Sequence, residues 1–287
     1  MTDQSKGILL AIFGVLFIVP DSLFIRLLNA DVYTIIVWRS FISGFFILLG
    51  LFAYHRGNIV NIFRNIGPNA ILFGLFLALS GPLFALSISM TAVSNTVFII
   101  ATMPVFSAFS SWFLLGEQIS RRMAWTIVFA LSGISLIALG SAQDQNTSVW
   151  GDLCAVGCAA SFGTSLTFAR KSKASSMIPV TPFALFASGL VFLPWATPFV
   201  FNGMDAPIAL LHNSLIATST CLIAISPRYI TSAEVALLIL GESILAPILV
   251  WAVIGEYPGS WALAGGAVVL LTLFISNMIA IKLRKEI

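Results

Sequence analysis

A lone carboxylate, Glu242, stands in the middle of the apolar run from Val235 to Ile254, with Ser243 beside it. It lies about nine residues into the expected span 233–254, roughly 13 Å deep at 1.5 Å per helical residue. An ionised acid at that depth costs a few kcal/mol or more unless it is paired or wetted. Two readings follow from the residue alone. It is a counter-charge for a substrate ammonium, or a protonatable switch; or it is a structural acid held by a neighbouring hydroxyl such as Ser243. A second acid, Asp21, follows Pro20, and Arg26 five residues on makes a local ion pair the expected reading.

Other polar and helix-breaking residues at mid-run depth are candidates for lining a cavity, because hydrocarbon leaves their polar groups unsatisfied. Ser80, Gly81 and Pro82 are expected to interrupt one apolar run near its centre. A repeat supplies their partners. Trp-x-x-x-Gly-Glu occurs at Trp112 to Glu117 and again at Trp251 to Glu256, an offset of 139 residues that pairs Ser80, Gly81 and Pro82 with Ser219, Thr220 and Cys221. The same register pairs Thr102 and Met103 with Gly241 and Glu242, and Pro104 with Ser243, a proline returning only at Pro247. At the start of each half the offset is 144, aligning Gly7 with Gly151, Phe24 with Phe168, and Pro20 and Asp21 with Thr164 and Ser165. Phe84, Phe98, Phe106 and Phe162 lie at cavity depth, where each serves as packing or as a stacking surface. Pro20, Pro104 and Pro247 are the candidate hinge or gating positions.

The elements that must position these residues are membrane helices. The 287 residues are 59% hydrophobic and 9% charged, with mean hydropathy +1.04, whereas charged residues in soluble chains run near a quarter. Dividing the chain by runs of about 20 apolar residues predicts ten spans, at 7–28, 33–54, 68–90, 94–115, 122–140, 149–170, 180–200, 208–228, 233–254 and 260–281. Runs such as Gly7 to Pro20 are apolar on every side, so a β-barrel is excluded and the fold is all-α. The first span, continuing past Pro20 to Leu28, reads as an uncleaved helix rather than a signal peptide. Spans one, three, four, six, eight and nine are expected to enclose the pathway.

Counting spans puts twelve of the fourteen Lys and Arg residues on one side, leaving Arg26 and Arg39 on the other, so both termini are expected to be cytoplasmic. Trp38, Trp112, Trp150, Trp251 and Trp261 fall near span ends, as an interfacial belt requires. Five spans per half make the second half enter the membrane from the opposite face. Residues 1–143 and 144–287 are therefore expected to be inverted repeats forming one transport unit, a design associated with alternating access. Asn95 and Glu234 near span starts read as helix-end caps, and Glu117 and Glu256 as fold punctuation. The ladder Gly151, Ala155, Ala159, Gly163 reads as a packing face.

Pro104 followed twelve residues later by Gly116 and Glu117, the packing residue Gly133, and the second Gly255–Glu256 resemble the EamA-type drug/metabolite transporter superfamily. Within it the chain looks most like the YddG amino-acid exporters. The resemblance implies ten helices as five plus five, residence in the bacterial inner membrane, and export of aromatic and other amino acids and some xenobiotics.

The competing classes are weaker. Cys154, Cys158 and Cys221 all fall inside spans, with no disulfide framework or zinc-type spacing. His55 and His212 are expected at span ends on opposite sides, which leaves an intramembrane enzyme without converging groups. A passive channel lacks a ring of charges or a carbonyl-rich filter. No phosphate-binding Gly-x-x-x-x-Gly-Lys loop occurs, and the middle of the first span, Gly14 to Ile18, carries no acid. No cofactor or metal, no nucleic acid and no obligatory protein partner is expected; the partners are small metabolites and lipid.

Overall fold

The computed structural model describes residues 3–55, 67–116, 118–119, 121–143, 147–171, 177–226, 229 and 232–285. Glu117 lies outside them. The helices are α1 (Asp3–Ile18), α2 (Asp21–Leu27), α3 (Val32–His55), α4 (Pro68–Met90), α5 (Val93–Ile100), α6 (Met103–Leu115), α7 (Arg121–Gln143), α8 (Val149–Lys171), α9 (Thr181–Phe192), α10 (Asp205–Ile225), α11 (Ser232–Ile254) and α12 (Ser260–Lys285). No strand occurs among the described residues. Seven helical stretches are long and apolar enough to cross a membrane, and three shorter apolar helices, Thr181–Trp195, Leu238–Ile254 and Ser260–Ser276, accompany them. The chain is a multi-pass membrane protein.

Local chemistry explains where helices break. Proline has no N–H to donate, and its ring crowds the carbonyl four residues back. Pro20 thus separates α1 from α2, and Pro104, in the first turn of α6, stands just past the break at Ala101 and Thr102. The Thr102 hydroxyl donates to the Ile99 carbonyl at 2.6 Å, which also accepts the Thr102 amide at 3.0 Å. Not every proline breaks its helix. Pro82 and Pro247 lie inside α4 and α11, which run on as single helices. The expected interruption at Ser80, Gly81 and Pro82 is therefore absent; the Ser80 hydroxyl bonds the Leu77 carbonyl one turn back, keeping the polar group inside its own helix.

The repeated glycines have a conformational cause. Gly116 and Gly255 take φ of 69° and 74°, the left-handed conformation that ends helices at little cost only for glycine. Each N–H closes its helix, Gly116 onto the Ser111 carbonyl and Gly255 onto that of Trp251.

Between lipid-solvated helices, packing rather than water expulsion holds the fold, so small residues mark the closest crossings. A Cβ on Gly133 would lie 2.8 Å from the Gly265 carbonyl, fixing α7 against α12. Ala155 and Ala159 of the α8 ladder are fully buried. α4 packs on α8 as α1 packs on α10, α3 on α10 as α9 on α4, and α6 on α8 as α11 on α1, so exchanging residues 1–143 with 144–287 turns each of these contacts into its counterpart, whereas α5–α12 has none of comparable extent. α3–α9, α7–α12 and α5–α11 pair corresponding helices directly.

Candidate functional site

The break between α5 and α6 opens onto a cavity of about 60 Å³ bounded by α4, α5, α6, α8 and α11. Its wall includes Phe84, Pro104, Phe162, Glu242 and Ser243, together with aliphatic groups from Val97 to Ala101 and from Ile239 and Leu240. Among the described residues the Glu242 carboxylate accepts no hydrogen bond. The Ser243 hydroxyl turns away from it and donates to the Val97 carbonyl at 3.2 Å, so the hydroxyl-held structural form of Glu242 is not the one adopted. The lining is apolar apart from Glu242 and Ser243.

Behind the Phe84 wall lies a charged cluster that no local pattern announced. Asp21 of α2, Arg39 of α3 and His212 of α10 meet inside the protein, Asp21 only 2% and His212 1% exposed. Arg39 donates Nη2 to Asp21 Oδ2 at 2.6 Å and Nε to Oδ1 at 3.3 Å. His212 Nε2 lies 2.6 Å from the same Oδ1, so a proton is shared there. With that proton on Nε2, the buried His212 Nδ1 has no partner. Phe24 stacks on the imidazole at 5.3 Å, and the Arg39 guanidinium lies 5.3 Å from the Phe84 centroid, a cation–π contact. Arg39 and Glu242 are also near enough to attract each other.

These positions correct three expectations. Asp21 pairs with Arg39 rather than Arg26, whose guanidinium instead reaches the Thr91 carbonyl and Glu256. Arg39 is not a loop charge but lies about 10 Å inside α3, seven residues past Val32. His212 is likewise about two turns into α10, whose helix begins at Asp205, upstream of the expected start. Trp38 is no belt residue either. It is 4% exposed, with Nε1 donating to the Pro198 carbonyl.

A second polar layer lies nearer the helix ends. Arg26 Nε is 3.1 Å from Glu256 Oε2, and Glu256 also accepts the Val93 amide at the start of α5. Glu256 therefore ties three helix ends together. Asn95 does not cap its helix; Nδ2 donates to the Thr91 and Ser141 hydroxyls, and Thr91 in turn donates to Asp152. The side chain of Glu234 lies outside the described residues.

The remaining candidates are dispersed. The Ser219 hydroxyl donates to the Gly14 carbonyl, joining α10 to α1, so it does not share a pocket with Ser80. Thr220 is half-buried on α10. Thr164 bonds Ser110, and Ser165 bonds the Phe162 carbonyl. Phe98 is packed within the core and Phe106 lies against the α8 ladder at Gly163. Gly81 and Pro82 sit beside the cluster, Gly81 next to Arg39. Among the described residues no three His, Cys, Asp or Glu side chains gather into a metal-holding group.

Residues 5–139 match the EamA-like transporter family and carry its domain. No curated protein matches the chain significantly. A solved structure known only as the crystal structure of a protein aligns with TM-score 0.65 at 16% identity, covering 98% of this chain and 99% of the other, a likeness of fold.

Proposed function

We propose that this chain is a ten-span secondary transporter of the drug/metabolite type that exports small amphiphilic metabolites, chiefly aromatic and other neutral amino acids, across the bacterial inner membrane. The observation that carries this reading is the cavity at the α5–α6 break, where Glu242 stands unbonded between the Phe84 and Phe162 walls. An ammonium group neutralises Glu242, and the aromatic walls take an apolar side chain. The EamA-like domain over residues 5–139 supports transport; the resemblance of the chain to the YddG amino-acid exporters within that superfamily supports amino-acid export.

Alternating access is supported by the exchange symmetry of the helix pairs, which is what two inverted five-helix halves produce. Both termini are then cytoplasmic, and the Arg26–Glu256 layer faces outward. A cavity of about 60 Å³ holds a handful of waters at roughly 10–15 Å³ each, whereas pockets enclosing small molecules start near ~300 Å³. The site must therefore widen to load. Opening it outward requires parting the Arg26–Glu256 layer above it.

The test is amino-acid efflux from cells with and without the protein, expression being matched. Glu242→Gln is expected to lower efflux of neutral amino acids at least about tenfold, the equivalent of about 1.4 kcal/mol. Wild-type flux with unaltered pH dependence in the variant sinks the assignment of Glu242. Absence of amino-acid efflux from the wild type sinks the function.

A further inference from the structure

We propose that Arg39 is the carboxylate receptor of the same site, so that Arg39 and Glu242 together select zwitterions over amines and over simple acids. This rests on the amino-acid reading above and adds the residue that discriminates. Arg39 uses Nε and Nη2 on Asp21, while Nη1 makes no hydrogen bond among the described residues. That donor lies against Gly81, 3.2 Å from where a Cβ would stand, so a larger residue there would crowd it. The aromatic ring that carries the guanidinium, Phe84, also lines the cavity. Glu242, on the cavity wall, lies within electrostatic reach of both members of the Asp21–Arg39 pair.

The arrangement supplies one fixed cation and one unbonded anion beside an apolar chamber. An ammonium group on Glu242 and a carboxylate on Arg39 Nη1 satisfy both, and the side chain is left for Phe84 and Phe162. Asp21 keeps the guanidinium oriented, as a fork already engaged along one edge presents its remaining N–H groups in a fixed plane. His212 holds the other side of Asp21, so binding at Nη1 leaves the buried pair intact. An amine alone satisfies Glu242 but not Arg39. A carboxylate alone meets Arg39 but sits beside an unbalanced Glu242.

The experiment is binding to the purified full chain, read from ligand-dependent thermal stabilisation, with L-phenylalanine, its methyl ester and 3-phenylpropionate. Phenylalanine is expected to bind at least about tenfold more tightly than either analogue, the size of one charge-assisted hydrogen bond. Arg39→Lys, which retains a cation facing Asp21, is expected to weaken phenylalanine at least about tenfold and leave the ester unchanged. Equal binding of phenylalanine and its methyl ester to the wild type overturns the proposal without any variant. So does a folded Arg39→Lys protein that still discriminates. If cells export amino acids while either of these results holds, the transport function stands and only the role of Arg39 falls; if none of the three ligands binds, both fall together.

Discussion

Asp21 satisfies two groups from different helices with its two oxygens, and the cluster fails differently depending on which partner is lost. Removing one member of a buried ion pair strands the other charge, a penalty of about 3–5 kcal/mol. Asp21→Asn is therefore expected to lower the thermal stability of the detergent-solubilised protein sharply. Adding Arg39→Gln to it should recover part of the loss, since no charge then remains unpaired. Equal stability of wild type and Asp21→Asn would show that Asp21 and Arg39 are not paired in solution. Glu242 differs in kind: it forms no such pair, so its substitution is expected to alter transport far more than folding.

Element ends set the geometry that brings these residues to one depth. α3 starts at Val32 because Asp31 accepts both the Thr34 amide at 3.0 Å and the Thr34 hydroxyl at 2.6 Å. Burial pushes the Asp31 carboxyl upward, but the Thr34 hydroxyl and the Thr34, Tyr33 and Asp31 amides outweigh it and hold it below the usual carboxylate range. A folded-state value below the unfolded one means the cap contributes fully above the unfolded carboxyl's value near ~3.9 and is lost as pH falls through the folded value. Asp31→Ala is expected to cost about 1 kcal/mol at neutral pH and to flatten the acid limb of the stability curve. An unchanged acid limb in thermal melts would exclude the cap as its source. At the same end of the bundle Gly255 terminates α11 so that Glu256 can turn back onto Arg26 and the α5 amide. The repeated Trp-x-x-x-Gly-Glu thus encodes a helix stop, and in its second copy also a clasp.

At the scale of the molecule, α4 and α8, which pack on each other, both line the cavity, and α1–α10 is their counterpart in the helix pairing. Under the proposed alternating access, Arg26 must part from Glu256 in every cycle. In a background lacking Cys154, Cys158 and Cys221, cysteines at positions 26 and 256 joined by a bifunctional thiol reagent are expected to stop efflux, and cleaving the linker to restore it. Full efflux from cross-linked protein would show that this layer does not open. α7 and α12, locked through Gly133 and Gly265, are placed to act as a fixed frame while the inner helices move.

Hydropathy is a local quantity, so the apolar runs, the all-helical class, the breaks at Pro20 and Pro104 and the anomalous depth of Glu242 were all legible along the chain. The left-handed glycines were legible too, because the same backbone demand selected the same residue twice. The cluster was not. Asp21 meets Arg39 across 18 residues and His212 across 191, and each taken alone resembles a polar residue near a span end, where it would be unremarkable. Whether Ser80 and Ser219 face a pocket or their own helices was equally hidden, since a hydroxyl can satisfy itself on a carbonyl one turn back or on a neighbouring helix. The sequence by itself determined the apolar runs and the polar residues that fall within them, though it set His212 too near a span end. Only the tertiary structure decided which of them share a charge, because pairing depends on helices brought together by packing rather than on neighbours along the chain.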